Sequence, residues 1–252
     1  MKVYDVGQGS PEIAVVGCLH GDEKCGKIAI ERVKARELDF IKPVRFIVAN
    51  ERALEKGERC IDVDLNRCFP GDPDSDLHEE RLAYELLNKI EGMKVLDLHS
   101  TYSQTDPHVY FMGQERLELA KSVGVSKLVD LRKLENLLIE QGEIEGVAVE
   151  CGTNGKEQTF ERAEKTIIEF LGNHGAIDAS ISEVEHRVFE VYDVQEGEGY
   201  SFVGENFRKV EKGEVFARKN DVELRAEKDF YPVLMSDNGY PDKIGFKARR
   251  LE

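Results

Sequence analysis

Tryptophan is absent from the 252-residue chain, and basic residues are scarce relative to acidic ones. The chain has 35 Lys and Arg against 50 Asp and Glu, which leaves a formal net charge of -15 at pH 7. Such a surface repels phosphate backbones and anionic lipid headgroups, so we expect neither nucleic acid nor a membrane as a partner. A small anionic substrate is still allowed, because a few local arginines can override the overall field.

Long apolar runs and paired cysteines are also missing. No apolar run approaches the roughly 18 residues of a membrane-spanning helix. The N-terminal residues 1–5 lack the apolar segment of a secretory signal. The five cysteines include no C-x-x-C pair. We therefore expect a cytoplasmic protein with reduced thiols. Whether the chain forms a homo-oligomer is left open.

Apolar and amphipathic segments alternate along the chain up to about residue 172. The predicted buried strands and amphipathic helices include, in order, 13–16, 24–36, 44–48, 77–90, 95–99, 146–149 and 158–171. This alternation is typical of an α/β fold. After residue 172, short strand-like runs replace the helices. We predict an α/β domain at residues 1–177 and a smaller β-rich domain at residues 178–252.

Two strand ends carry histidines that suit a metal ion. His20 and Glu23 lie on the turn after the first buried strand, and His99 closes a later strand on which Asp97 shares its face. Open α/β sheets place their sites at the carboxyl ends of strands. Two His and one Glu form an attested set for catalytic zinc, which keeps a fourth position open for water. The sequence therefore predicts one Zn²⁺ per chain on His20, Glu23 and His99.

Two further features suit hydrolysis at such an ion. Glu150 follows the apolar run 146–149, where a carboxylate is costly without a partner, and we predict a general base. The alternative is a carboxylate that caps a turn. The segment 59–67 places Arg59 and Arg67 around two aspartates. A guanidinium there could stabilise an oxyanion or bind a carboxylate, and the alternative is an ordinary surface ion-pair loop.

Four motifs occur along the chain, and they are G-x-x-H-G-D-E at 17–23, R-x-I-D-x-D-L-N-R at 59–67, D-L-H-S at 97–100 and V-x-V-E-x-G at 147–152. Together, and in this order, they resemble the aspartoacylase / succinylglutamate desuccinylase family. That family is similar to the zinc carboxypeptidases in fold and site. The resemblance implies a mixed, twisted sheet flanked by helices and an enzyme that hydrolyses an amide bond.

The resemblance also implies a role for individual residues besides the three metal ligands. It implies that Glu150 is the general base and proton shuttle and that Arg59 polarises the scissile carbonyl. Asn66 and Arg67 are implied to hold a substrate carboxylate. Tyr240, in a C-terminal segment similar to the family's, is implied to reach the substrate.

The predicted function is a zinc-dependent hydrolase that deacylates a small, anionic N-acyl amino acid. Aspartoacylases carry an arginine shortly before the catalytic Glu. Residues 138–143 contain no Arg or Lys, and Arg132 is the nearest, which argues against N-acetylaspartate as the substrate. Two alternatives stay open. They are a metallocarboxypeptidase that acts on short peptides and a non-catalytic relative that binds a metabolite.

Overall fold

The computed structural model describes residues 1–131, 134–179, 182–237 and 243–251. The strands are β1 (Lys2–Val6), β2 (Ile13–Gly17), β3 (Val44–Val48), β4 (Lys94–Thr101), β5 (His108–Phe111), β6 (Lys127–Asp130), β7 (Glu145–Thr153), β8 (Arg187–Glu196), β9 (Ser201–Phe202), β10 (Val215–Lys219), β11 (Val222–Arg225), β12 (Tyr231–Val233) and β13 (Lys243–Arg250). The α-helices are α1 (Cys25–Ala35), α2 (Glu51–Lys56), α3 (His78–Ile90), α4 (Leu117–Lys121) and α5 (Glu157–Asn173).

A mixed sheet of ten strands forms the centre of the protein, in the order β1-β3-β2-β4-β7-β5-β6-β8-β13-β12. Its central strands β3, β2, β4 and β7 are parallel to one another. Strand β5 then runs antiparallel to β7. The predicted fold class, a mixed sheet flanked by helices with a smaller C-terminal β region, is confirmed. Because β2 and β4 are parallel neighbours, the residues that follow them meet at one edge.

Helices cover both faces of the central strands, which explains their continuous apolar runs. On β2, Val15 packs with α1 and α5, while its neighbour Val16 packs with α3 on the opposite face. Side chains of a strand alternate between faces, so a strand covered on both sides needs apolar residues at every position. Within the described ranges, no helix is long and apolar enough to cross a membrane.

The C-terminal region contributes to two sheets. Its strands β8, β13 and β12 continue the ten-stranded sheet, and β9, β10 and β11 form a separate antiparallel sheet. The small sheet has its own buried cluster, which includes Phe216 and Phe230 with their rings 5.2 Å apart. The domain boundary at residue 177 stays a prediction.

Three local features differ from the sequence-based expectation. Helix α2 was not predicted, and it forms because the Asn50 side chain accepts a hydrogen bond from Ala53 N at its start. Helix α4 is shorter than the amphipathic pattern at 115–123 indicates, because a 3-10 turn replaces its first residues. Strand β7 is longer than predicted, so Glu150 lies within the strand rather than at its end.

The turn that carries His20 and Glu23 depends on a close approach of two glycines. Gly17 ends β2 and Gly26 lies in the first turn of α1. A Cβ added to Gly26 would lie 2.6 Å from the Cα of Gly17, closer than side chains pack. The helix therefore leaves the sheet at this short distance only because neither position has a side chain.

We predict that Gly26→Ala destabilises the protein although Ala favours helix. The added methyl group overpacks the contact with Gly17, which costs about 1–3 kcal/mol of unfolding free energy. Gly142→Ala is the matched control, because a Cβ there meets nothing within 4 Å. Urea unfolding measures both variants. A Gly26→Ala protein as stable as the native one would contradict the close packing.

Candidate active site

Glu23 lies between two buried histidines at the edge formed by β2 and β4. Its Oε1 is 2.8 Å from His20 Nδ1, and its Oε2 is 3.0 Å from His99 Nδ1. One ligand atom from each of the three residues lies within 4.8 Å of the others. All three side chains are buried. The predicted ligand residues therefore come together as a group that could hold a metal ion.

The far nitrogen of each imidazole contacts a second carboxylate. His20 Nε2 is 3.0 Å from Asp64 Oδ1, and His99 Nε2 is 2.7 Å from Asp97 Oδ2. If each Nε2–H donates to its carboxylate, each Nδ1 keeps a lone pair directed toward Glu23. Metal-binding histidines in proteins are held in this way, which sets the tautomer and the ring orientation. The donor set and its supports fit a divalent cation such as zinc.

The electrostatics of the group also favour a bound cation. Burial opposes a charge on His20, yet Glu23 and Asp64 raise the pKa of His20 above its usual value. Burial likewise opposes a charge on His99, yet Asp97 and Glu23 hold its pKa well above the usual value. The carboxylates thus require positive charge at this point, which protons on the histidines or a divalent cation can supply.

Arg59 contacts the group from the loop that precedes α3. Its Nη1 is 3.1 Å from Glu23 Oε1, and its Nη2 is 2.9 Å from Asp64 Oδ2. The side chain stays 42% exposed, so part of the guanidinium faces the pocket above the histidines. Asp64 therefore orients both a candidate ligand and the arginine that was predicted to act beside it.

Glu150 lines the same pocket from β7, the strand next to β4. It pairs in register with His99, one strand away. Burial and the negative charge of Glu23 raise the pKa of Glu150 to about 7. Its Oε2 is buried and has no hydrogen-bond partner among the described residues. A carboxyl group in this state can take up and release a proton near neutral pH.

Of the residues predicted to bind the substrate, the structure describes Asn66 and Arg67. Asn66 and Arg67 both line the pocket. Asn66 Oδ1 accepts a hydrogen bond from Leu138 N at 3.0 Å, and Arg67 Nη1 donates to the backbone oxygen of Asn66 at 2.6 Å. Asn66 therefore also fixes one wall of the pocket. Tyr240 and Arg132 lie outside the described residues.

Glu79, which the sequence did not reveal, holds the loop that carries Arg59 and Asp64. Glu79 is fully buried in the first turn of α3. Its Oε1 accepts hydrogen bonds from Asn50 Nδ2 at 2.9 Å and from Ile61 N at 2.7 Å. Its Oε2 accepts hydrogen bonds from the next two backbone amides, at 3.0 and 3.3 Å. One carboxylate thus satisfies three consecutive N–H groups of the loop.

The loop returns a hydrogen bond to the helix. Asp62 Oδ2 accepts from His78 N, the first amide of α3, at 2.8 Å. The two aspartates of the motif therefore have separate functions, because Asp62 binds the helix while Asp64 binds His20 and Arg59.

Asn154 makes a second contact that the sequence did not reveal. Its Nδ2 donates to the backbone oxygen of Asp22 at 2.9 Å, and its Oδ1 accepts from Ser100 Oγ at 3.2 Å. It thereby ties the turn after β2 to the end of β4. Glu23 follows Asp22 and His99 precedes Ser100, so Asn154 helps to hold two of the three candidate ligands near each other.

Comparison with known proteins is consistent with this geometry. A family model, the succinylglutamate desuccinylase/aspartoacylase catalytic domain, matches residues 9–170. The chain belongs to this family. The matched range includes the three candidate ligands, the loop 59–67 and Glu150, and it ends before the C-terminal strands. The predicted family is therefore confirmed.

Individual relatives match parts of the chain. It is 31% identical over 109 residues to an N-acyl-aromatic-L-amino acid amidohydrolase of Danio rerio, covering 36% of this chain and only 35% of that protein. The chain is 30% identical over 206 residues to an N-alpha-acetyl-L-2,4-diaminobutyric acid deacetylase of Halomonas elongata. This match covers 72% of the present chain and 59% of the deacetylase. A succinylglutamate desuccinylase/aspartoacylase structure from Rhodobacter sphaeroides shares the fold, with a TM-score of 0.79 and 20% sequence identity. The superposition covers 99% of the present chain and 89% of the other chain.

We predict that Glu79→Gln loosens the loop 59–67 and destabilises the protein by about 1–3 kcal/mol, because it removes a charged acceptor from buried amides. Burial raises the pKa of Glu79, but the amide donors lower it more, so its pKa in the folded protein lies below the ordinary value of 4.5. The stability that Glu79 contributes is therefore present above pH 4.5 and is lost as the pH falls through the lower, folded-state pKa.

The measurements are urea unfolding at several pH values and hydrogen exchange of the amides at 61–63. The control is Glu80→Gln, whose carboxylate forms no hydrogen bond or ion pair with any described residue. The difference in unfolding free energy between the native protein and the Glu79→Gln variant should become smaller at acidic pH. If the two proteins were equally stable at neutral pH, or if the difference in unfolding free energy stayed the same in acid, Glu79 would not hold the loop in this way.

Proposed function

We propose that the protein is a zinc-dependent hydrolase that removes the acyl group from a small N-acyl amino acid. The observation that carries the proposal is the group of His20, Glu23 and His99 in one pocket with Glu150. Membership of the desuccinylase/aspartoacylase family supports cleavage of an amide bond. The relatives described above are an amidohydrolase and a deacetylase, which supports an N-acyl amino acid as the substrate.

His20, Glu23 and His99 would hold the zinc. When bound, zinc supplies Lewis-acid chemistry and brings the pKa of water to about 7. Asp64 and Asp97 keep both imidazoles in the tautomer that binds a cation. Three protein ligands of this kind would leave a coordination position open for water.

Glu150 and Arg59 would carry the proton and the charge of the reaction. With a pKa near 7, Glu150 can accept a proton from the attacking water and then donate it to the leaving nitrogen. The exposed part of the Arg59 guanidinium would polarise the scissile carbonyl and stabilise its developing negative charge. Asn66 and Arg67 would bind the carboxylate of the amino acid, with Tyr240 as a further substrate contact.

Two other functions are tested by the same assays. A metallocarboxypeptidase would use the same groups on short peptides, and a hydrolysis screen that includes peptides beside N-acetyl, N-formyl and N-succinyl amino acids separates the two. A non-catalytic binder would not need a carboxyl group with a raised pKa beside the candidate ligands, so Glu150 favours an enzyme.

All five cysteines are free, as expected in a reducing compartment, and the cytoplasmic location stays a prediction.

We predict that the purified protein binds about one equivalent of zinc and that His99→Ala loses this binding. His99 would supply one of three ligands, and no described histidine besides His20 and His99 lies in the group. His186→Ala is the control, since its ring contacts the backbone of Val125 instead. Metal analysis after dialysis measures the stoichiometry. Full zinc retention by His99→Ala would refute the proposed ligand set.

We predict that Glu150→Gln keeps zinc but loses turnover. The amide has the shape of the carboxyl group and cannot shuttle a proton, so kcat should fall at least about 100-fold. Glu145→Gln, at the exposed start of the same strand, should leave kcat unchanged. Zinc content and kcat are measured on each variant. Native turnover by Glu150→Gln would exclude the proposed base.

A further inference from the structure

A short helical turn between β6 and β7 forms part of the wall of the candidate active site. Residues Leu138–Glu140 form a single 3-10 turn shortly before β7. Ile139 lines the pocket, and Leu138 is fully buried in the same apolar cluster as Leu65, the residue before Asn66. The turn therefore packs against the loop that carries a predicted substrate contact.

The start of this turn has a buried N–H group that needs an acceptor. The first amides of a helical turn have no partner within it, and a buried amide without a partner is costly. Leu138 N donates to Asn66 Oδ1 at 3.0 Å, which satisfies this need. Of the two branches of an amide side chain, only the oxygen accepts a hydrogen bond, so this contact fixes which branch of Asn66 faces the turn.

The orientation of the Asn66 amide matters for the role proposed for it. With Oδ1 on the turn, the two N–H donors of Nδ2 lie on the other branch of a side chain that lines the pocket. A substrate carboxylate is bound by donors, whereas an amide oxygen turned toward it would repel it. An amide turned the other way would therefore weaken binding of the carboxylate without changing the groups that carry the reaction.

Arg116 holds the other end of the turn. Its Nη1 donates to the backbone oxygen of Ile139 at 2.7 Å. Its Nη2 donates to the backbone oxygens of Gln141 and Ile144, at 3.0 and 3.4 Å. The last carbonyls of a helical turn also lack partners within it, and basic side chains can satisfy them. One arginine thus ties the turn and the residues after it to the segment that follows β5.

The shape of the guanidinium group suits this contact. It is planar and presents its N–H groups in fixed directions, so a single side chain reaches three carbonyls at different positions of the segment. Arg116 is partly buried at the end of the 3-10 turn Gln114–Arg116. It lies outside the set of residues that line the pocket, so its effect on a bound substrate passes through the turn.

We propose that Arg116 is a positioning residue for substrate binding. It fixes the turn 138–140, whose first amide holds Asn66 with its donors available to the substrate carboxylate. This inference rests on the proposed function, because it takes the substrate to be an N-acyl amino acid whose carboxylate contacts Asn66. Loss of the hydrogen bonds of Arg116 should therefore weaken binding of the carboxylate and leave the reaction itself unchanged.

The test compares acetate release by the zinc-loaded protein from N-acetyl-L-alanine and from its amide, which has no carboxylate. Arg116→Lys keeps the positive charge but lacks the planar fork. We expect it to raise KM for N-acetyl-L-alanine about tenfold with kcat within about twofold, and to leave kcat/KM for the amide unchanged. An unchanged KM for N-acetyl-L-alanine, or an equal loss on both compounds, would overturn the proposal.

Arg225→Lys is the matched control. Arg225 also donates to a backbone oxygen, that of Gly213, and it lies on β11 in the small sheet. Neither of these two residues lines the pocket, so the substitution should change the kinetics of neither compound. A merely destabilising effect of Arg116→Lys would lower the activity on both compounds alike.

A second variant tests the route through Asn66. In Asn66→Asp both branches of the side chain are oxygens, so the orientation that Arg116 maintains no longer matters. This protein should itself bind N-acetyl-L-alanine more weakly, and adding Arg116→Lys should raise KM no further. If the effects of the two substitutions multiplied instead, Arg116 would act by another route and the proposal would be overturned.

Failure of the proposed function gives a different result. If the screen of N-acyl amino acids finds no hydrolysis, the hydrolase assignment fails while the role of Arg116 can still be tested. Hydrogen exchange at Leu138 N needs no substrate. It should become faster in Arg116→Lys, which supports the link from Arg116 to Asn66, and stay as in the native protein in Arg225→Lys. Unchanged exchange at Leu138 in Arg116→Lys would overturn the proposal on its own.

Discussion

The site depends on one buried carboxylate that faces two buried histidines. Glu23 contacts both Nδ1 atoms, and its burial requires compensating positive charge. Asp64 and Asp97 behind the rings increase that requirement and at the same time orient the imidazoles. Protons can meet it, and so can a divalent cation, because the three side chains form a group that could hold a metal ion. Burial raises the pKa of Glu150, and the negative charge of Glu23 raises it further.

The rest of the fold brings these charged groups together and keeps them apart from water. The parallel neighbours β2 and β4 bring the candidate ligands together, and the glycine contact between β2 and α1 sets the turn after β2. Helix α3 holds the loop 59–67 through Glu79, so a helix outside the pocket determines where Arg59 and Asp64 lie. The C-terminal strands then complete the pocket with apolar side chains. Each layer of the protein thus contributes a different part of the site.

The sequence predicts the sheet and the candidate ligands because both depend on local patterns. Apolar runs mark β2, β3 and β4, and a polar residue directly after such a run marks a strand end. The role of Glu79 could not be predicted, since nothing distinguishes it from Glu80 before the helix is packed against the loop. The sequence underestimates the length of β7 because the charged Glu150 interrupts its apolar pattern. The apolar side of the pocket, which includes Leu131, Leu137 and Phe246, combines segments that are far apart in the chain, so no local pattern indicates it.

The most direct test of the account is anomalous X-ray diffraction, at the zinc edge, from crystals of the zinc-loaded protein. We predict one strong anomalous peak per chain, at about 2.0–2.2 Å from one nitrogen of His20, one nitrogen of His99 and a carboxylate oxygen of Glu23. A peak elsewhere, or no peak in crystals that contain zinc, would contradict the central claim that these three residues form a metal centre.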